Sequence, residues 1–311
     1  LQRPHDDFPD TPGNVSGDVS GDVSGGGAAG ADGVRLPNLR SDFRQDRLMT
    51  TEPGFTGWQE VGDRVLVLRY PVLDVNVGLV LGHGASLVVD TLCGPRQGQW
   101  LHDAVREVTS DPLAVVLTHH HVDHCLGTAE LDPVAVWAHE YCAAALTEWP
   151  EKILEDAAHE LPQLAQEITT ARLIVPDQTF SRGHDLVIGG RRVLLRHLGR
   201  GHTAGDAVVA VPDAGVVLAG DLVEEGAPPA FDEAYPLRWP ATLDRMLALH
   251  AEVQPWQGYS GLVVPGHGAV VDAAYVKWQR DTLAAFGDAC KAGFDAGRDP
   301  TQVFAQQTVL S

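Results

Sequence analysis

The chain has 311 residues and a formal net charge of −20, with 44% hydrophobic and 21% charged residues. This balance is that of an ordinary globular protein, and no apolar run approaches the roughly 20 residues needed to span a bilayer. The acidic sign argues against polyanionic partners, so nucleic acid and anionic membrane surfaces are disfavoured and a small-molecule substrate is expected. Four cysteines, Cys93, Cys125, Cys142 and Cys290, lie far apart without a Cys-x-x-Cys pair, the pattern of reduced thiols rather than a disulfide framework. With no basic and apolar leader in view, the expected location is the cytoplasm.

Residues 1–48 are rich in Gly, Asp, Ser and Pro and repeat Val-Ser-Gly at 15–17, 19–21 and 23–25. Such a segment buries too little apolar area to offset its ordering entropy, so a disordered tail is expected, with the functional part beginning near Met49. Five arginines against eight aspartates leave the tail at −3, so −17 of the −20 belongs to residues 49–311.

Short Val/Leu-rich runs separated by Gly or Pro then predict strands at Arg64–Arg69, Asn76–Leu81 and Ser86–Asp90. Trp100, Leu101, Ala104, Val105 and Val108 recur at helical spacing within a helix expected over Gln97–Thr109. A buried-type strand follows at Leu113–Thr118, then a histidine cluster, with a helix expected from Leu126. Further strands are expected at Val134–Ala138, Leu186–Ile188, Arg192–Leu198, Ala207–Val211, Val216–Ala219 and Leu262–Val264. Helices are expected at Glu140–Glu148, Glu151–Thr170, Ala241–Glu252 and Ala273–Ala292. Strands interleaved with helices in two successive halves indicate a layered α/β architecture.

The chemistry concentrates in Thr118-His119-His120-His121-Val122-Asp123-His124. Imidazole nitrogens and carboxylates suit zinc and other divalent first-row metals, but a four-coordinate catalytic ion takes only three protein ligands. So many donors so close together therefore suggest two neighbouring ions. Three Gly-rich turns after strands offer the remaining donors: Gly201-His202-Thr203-Ala204-Gly205-Asp206, Gly220-Asp221 and Pro265-Gly266-His267-Gly268. His120 falls between two candidate ligands and is expected to point away from them. Cys125 reads as a small buried residue and Asp206 as a cap for its own turn.

The HxHxDH run, the GHTxGD turn, the GD at a strand end and the PGHG turn, in this order over about residues 58–288, resemble the metallo-β-lactamase superfamily. The resemblance implies a four-layer αββα sandwich with metals at one edge between its sheets. It implies one metal on His119, His121 and His202, a second on Asp123, His124 and His267, and Asp221 bridging the two. Asp90 would hold the histidine loop without touching metal. Two divalent ions sharing a water would lower its pKa enough to give a bridging hydroxide near neutral pH, with Asp221 setting their separation and Asp123 tuning the second ion. Zinc is the first choice of metal, and iron or manganese also suit the donors.

Aspartate at 221, where the β-lactam-cleaving members use other residues, makes the set similar to the thioester and lactone hydrolases of the superfamily. Hydrolysis of a small acyl ester, thioester or lactone is therefore expected, ahead of an iron oxidoreductase, a β-lactamase or a nuclease on the same scaffold. Two segments beyond the core, a helical insertion at 148–170 and a Pro- and aromatic-bearing lid or rim at 224–239, are expected to shape substrate choice or to form a contact between copies in a homo-oligomer.

Overall fold

In a computed structural model of the protein, residues 57–251, 253 and 261–299 are described; the expected tail and the start near Met49 lie outside them. Strands β1 (Gln59–Gly62), β2 (Val65–Tyr70), β3 (Val75–Leu81), β4 (Ser86–Val89), β5 (Leu113–Val116), β6 (Ala135–His139) and β7 (Gln178–Phe180) hydrogen-bond in sequence order. The pairs β1 to β4 are antiparallel and β4 to β7 parallel. Parallel neighbours need crossovers, and helices supply them. These are α1 (Pro95–Val108), the one-turn α2 (Val122–Cys125), α3 (Glu140–Glu148), α4 (Pro150–Glu160) and α5 (Ala165–Thr170).

The second half repeats the plan with β8 (Gly183–Ile188), β9 (Arg191–Arg196), β10 (Val208–Val211), β11 (Val216–Glu224), β12 (Leu262–His267) and β13 (Val271–Asp272), again paired in order. Helix α6 (Trp239–His250) connects the parallel pair β11 and β12, and α7 (Ala273–Asp295) follows β13. Among the described residues, the two sheets touch along their ladders only where His267 of β12 pairs with Val75 of β3.

Alternation along the strands explains why the sheets stack. On β2, Val65 and Val67 join a cluster shared with Val209, Val211, Val216, Leu218 and Val264 of the other sheet, while Leu68 turns toward Leu101 and Val105 of α1. On β11, Val216 and Leu218 face the first sheet, while Val217 and Ala219 face Trp239, Leu243 and Val276 on α6 and α7. Side chains one residue apart point to opposite faces, so each sheet is covered on both sides and three apolar layers separate four structural ones. This is the αββα sandwich.

Local differences from the sequence reading have simple causes. The helix expected over Glu151–Thr170 is two helices, because Pro162 cannot continue the first and pushes Leu161 out of helical backbone, at φ −118°. The helix expected from Leu126 is instead the single turn Val122–Cys125, followed by a 3₁₀ turn at Thr128–Leu131. β11 runs through the Gly-Asp pair to Glu224, with bulges on either side of Gly220. The proposed lid is consequently shorter: Glu224 is the buried end of a strand, and Trp239, fully buried, opens α6 and donates its indole N–H to Leu222 O at 3.0 Å. The short edge strands β1, β7 and β13 carry too little pattern to be seen in sequence. No helix among the described residues is long and apolar enough to cross a membrane.

Leu87 lies fully buried in the inter-sheet cluster. Leu87→Ala should lower the unfolding free energy by about 2–5 kcal/mol, read from the midpoint of a urea transition, through lost transfer energy and the cavity left behind.

Candidate metal centre

Strand ends of both sheets deliver the donors to one edge. β4 and β5 run parallel, with Val89 opposite Val116, and place Asp90 and Thr118 side by side. Thr118 donates its backbone N–H to Asp90 Oδ1 and its hydroxyl to Oδ2, both at 2.8 Å. Asp90 itself has φ +64°, a left-handed conformation that aspartate tolerates better than most residues. One-turn α2 then lifts Asp123 and His124, with His121 as its extended N-cap residue.

Hydrogen bonds behind the imidazoles fix their tautomers. A carboxylate only accepts, so His124 Nδ1, 2.8 Å from Asp90 Oδ2, carries a proton. His267 Nδ1 likewise donates to Leu73 O at 2.7 Å. Thr118 has spent its hydroxyl proton on Asp90, so its oxygen accepts from His119 Nδ1 at 3.0 Å. In its neutral form each of these rings keeps its lone pair on Nε2, which is how a metal-ligating histidine is oriented by its outer partner.

Those lone pairs converge. Asp221 Oδ2 lies 3.6 Å from His119 Nε2, 3.4 Å from His202 Nε2 and 3.3 Å from His267 Nε2, and Asp221 Oδ1 lies 3.2 Å from His124 Nε2. Asp123 Oδ2 stands 3.6 Å from His124 Nε2 and 3.4 Å from His267 Nε2. Facing nitrogens approach closely in two places, His121 Nδ1 to His202 Nε2 at 2.8 Å and His124 Nε2 to His267 Nε2 at 3.3 Å. Two lone pairs at such distances need a proton or a cation between them. The donors separate into two sets, His119, His121, His202 and Asp221, and Asp123, His124 and His267, each with its atoms within 4.8 Å of one another. His119 Nε2 and Asp221 Oδ1 are also buried without a hydrogen-bond partner. The donor chemistry and these orphaned atoms fit bound divalent metal.

The charges at the site shift these groups in opposite directions. Burial opposes charge on His267, but Asp221 and Asp123 outweigh it and raise the imidazole to about 9. Burial opposes charge on His124 too, and Asp221, Asp123 and Asp90 hold it well above its ordinary value. Burial lowers His202 to about 3, leaving it neutral and ready to donate a lone pair. Burial works against an ionised Asp221, yet the surrounding His124, His267 and His119 keep it well below the usual carboxylate range.

Two glycines make the approach of the loops sterically feasible. Gly220 has φ +52°, and a Cβ there would lie 2.6 Å from Thr118 Oγ1. A Cβ on Gly266 would lie 1.7 Å from Asp221 Oδ1, so the PGHG turn passes where only a glycine leaves room for the carboxylate.

All seven sequence-predicted ligands are thus brought together, with Asp90 behind them. His120 points elsewhere, its Nε2 3.0 Å from Glu233 Oε2. Cys125 is buried and free, as are Cys93 and Cys142, with Cys290 half-buried and also free. Asp206 caps its own turn, accepting from the Thr203 backbone N–H at 2.9 Å and its hydroxyl at 2.6 Å. Several contributors escaped the sequence reading. Asn76, a lone polar residue in an otherwise apolar strand, donates to Pro265 O at 2.9 Å and Gly268 O at 2.8 Å and so holds the His267 turn. Leu73 turns its carbonyl to His267 from a left-handed backbone at φ +62°. Buried Glu224 stands 3.7 Å from His202 Nδ1, and burial with the nearby Asp221 pushes its carboxyl up to about 8. Only Asn76 carried a signal in the sequence.

Residues 70–296 match the family described as the metallo-beta-lactamase superfamily, and the chain belongs to it. It is 26% identical to the human acyl-coenzyme A thioesterase MBLAC2 over 166 residues, 49% of this chain and 59% of that protein. It is also 26% identical to the metallo-beta-lactamase type 2 of Bacillus sp. (strain 170) over 211 residues, 66% of this chain and 72% of that one. Among solved structures, the metallo-beta-lactamase FIM-1 from Pseudomonas aeruginosa in its mono-zinc form superposes with TM-score 0.56 at 18% identity, covering 75% of this chain and 96% of that one.

Two expectations follow. With His267 near 9 it is protonated at pH 7, and a ligand must be neutral, so each ion that binds there expels a proton. His124, raised in the same way, would lose a second proton to the same ion, so zinc affinity of the metal-free protein should rise by about tenfold per pH unit for each proton expelled, and by up to about a hundredfold for both, between pH 6 and 8. Calorimetric titration in buffers of differing ionisation heat reads the proton release, and a flat affinity over this range would contradict the linkage. Gly266→Ala should lower bound metal by forcing Asp221 aside, as measured by elemental analysis of the folded variant.

Proposed function

We propose that the protein is a dinuclear metal-dependent hydrolase, with zinc as its metal, acting on a small acyl ester, thioester or lactone. The observation that carries this reading is the position of Asp221, whose one carboxylate reaches imidazole nitrogens of both donor sets. His119, His121 and His202 would hold one ion, and Asp123, His124 and His267 the other, with Asp221 between. When bound, divalent ions supply Lewis acidity, lowering the pKa of water and offsetting negative charge that develops on a carbonyl oxygen.

The protein's own contribution is alignment and charge. Asp90 and Thr118 lock the histidine loop before any substrate arrives. Asp221 and Asp123 bring formal charge to the donor sets, so two divalent ions held there would be only partly neutralised and would stay electrophilic. The apolar layer behind the centre keeps water out on that side. An aspartate at 221, the family resemblance to thioester and lactone hydrolases, and the activity named for the human relative all support an acyl substrate. The β-lactamase relative, matched at the same 26% identity, supports the same elementary step, water attack on a carbonyl.

In the metal-loaded protein, His121→Ala and Asp221→Ala should each reduce turnover by more than about 100-fold and lower bound metal, since each removes a ligand rather than a supporting contact. His120→Ala should keep the metal content. A panel of thioesters, lactones, β-lactams and phosphodiesters, with metal analysis of each variant, reads these outcomes. Normal turnover with full metal in either ligand variant overturns the assignment, and cleavage of phosphodiesters alone overturns the substrate class.

A further inference from the structure

Arg200 stands two residues before His202, on the loop that delivers that histidine. Its guanidinium carbon lies 5.0 Å from the ring centroid of Tyr235 and 5.7 Å from that of Tyr141. Tyr141 opens α3, and Tyr235 belongs to the 225–238 segment, fastened there by its backbone N–H donating to Gly201 O at 2.7 Å. Two residues earlier in the same segment, Glu233 contacts His120 and His121 at 3.0 and 3.8 Å. The arginine therefore belongs to the wall that joins the ligand loop to the segment beside the metal centre.

Its partners are unusual for this protein. The other half-buried arginines, such as Arg64, Arg106 and Arg280, have a carboxylate or a carbonyl on their guanidinium groups. Among the described residues, no carboxylate lies within 4.0 Å of the Arg200 guanidinium and no hydrogen bond engages it. In a chain of net charge −20, acidic groups are plentiful, and even the nearby Glu233 turns to His120 instead. Aromatic faces hold a guanidinium by its flat surface, through attraction of the cation to the ring quadrupole. With no hydrogen bond to the described residues, its N–H groups remain for another partner, and a guanidinium presents them as a fork that matches two oxygens of one anion.

We propose that Arg200 receives an anionic oxo group of the substrate, a carboxylate, sulfate or phosphate borne on the part away from the scissile bond, and so sets specificity for charged acyl compounds. This rests on the hydrolase reading above. Tyr141 and Tyr235 position the fork; they do not supply the charge. The reaction itself is unchanged: the acyl–oxygen or acyl–sulfur bond breaks, water adds across it, and the anion is a handle only.

The test has two arms. In the first, metal-loaded protein is given two aryl esters of one dicarboxylic acid, alike except that the distal carboxylate is free in one and amidated in the other. The wild-type protein should prefer the charged ester, and in Arg200→Gln the ratio of the two kcat/KM values should fall by about 10- to 100-fold, the scale of a lost charged hydrogen bond. Arg200→Lys, which keeps charge but loses the fork, should fall between them. Preference retained in Arg200→Gln overturns the proposal. In the second arm no turnover is needed: phenylglyoxal labelling of Arg200, mapped by mass spectrometry, should be slowed by glutarate, inorganic sulfate or inorganic phosphate. The three anions distinguish carboxylate from sulfate and phosphate recognition. Labelling unaffected by all three overturns the anion site, whereas protection without ester cleavage retains it and rejects the hydrolase reading instead.

Discussion

Three carboxylates, Asp90, Asp123 and Asp221, are drawn largely out of water at one edge of the inter-sheet layer, and the surrounding structure answers that charge. A buried carboxylate without positive charge or hydrogen bonds is costly. Asp90 is satisfied within the protein by Thr118 and His124. Asp221 is not, since one of its oxygens has no hydrogen-bond partner and its neighbours are imidazoles whose lone pairs point the same way. Positive charge is what these carboxylates call for, and against the opposing effect of burial they raise His124 and His267.

The sandwich exists in a form that makes this convergence geometrically cheap. Each sheet brings its strands to the same edge, and the two sheets are tied there by the pairing of Val75 with His267. That ladder contact places His267, a candidate ligand, at the seam itself. Asn76 secures the turn on its far side, and Leu73 takes a backbone conformation disfavoured for its side chain while presenting a carbonyl to the same imidazole. Strain held beside a functional group persists because the packing around it overdetermines the conformation.

How much of this could be read from the residues depends on the range of each interaction. The candidate ligands were legible because their spacing is local: HxHxDH fits one strand end and one helical turn, and the Gly-bearing turns announce close approach. Long apolar strands were legible because alternation is local too, as on β2 and β11. What was not legible was settled by partners distant in sequence. The extension of β11 through Asp221 depends on β12 beside it, and nothing in Glu224 or Trp239 announces that each closes or opens a buried element. The helix break at Pro162 was within reach, because a proline and its predecessor both resist helical backbone. Glu233 and Arg200 acquire meaning only when the segment between β11 and α6 is seen against the ligand loop.

That segment was expected to be a lid or rim, and its contacts are those of a fixed rim. It is tied at its start by Glu225, whose backbone N–H donates to His267 O at 3.0 Å and whose carboxylate accepts from the Ala269 N–H at 2.7 Å. Phe231 stacks on Phe286 of α7, with ring centroids 5.3 Å apart, and Tyr235 is bonded to the ligand loop. Pro228, Pro229 and Pro236 reduce the freedom of the chain between these ties. A recognition group gains affinity when its ordering is already complete before the ligand binds. Arg200, held between two tyrosines of which one sits on this rim, is the group proposed above for that role.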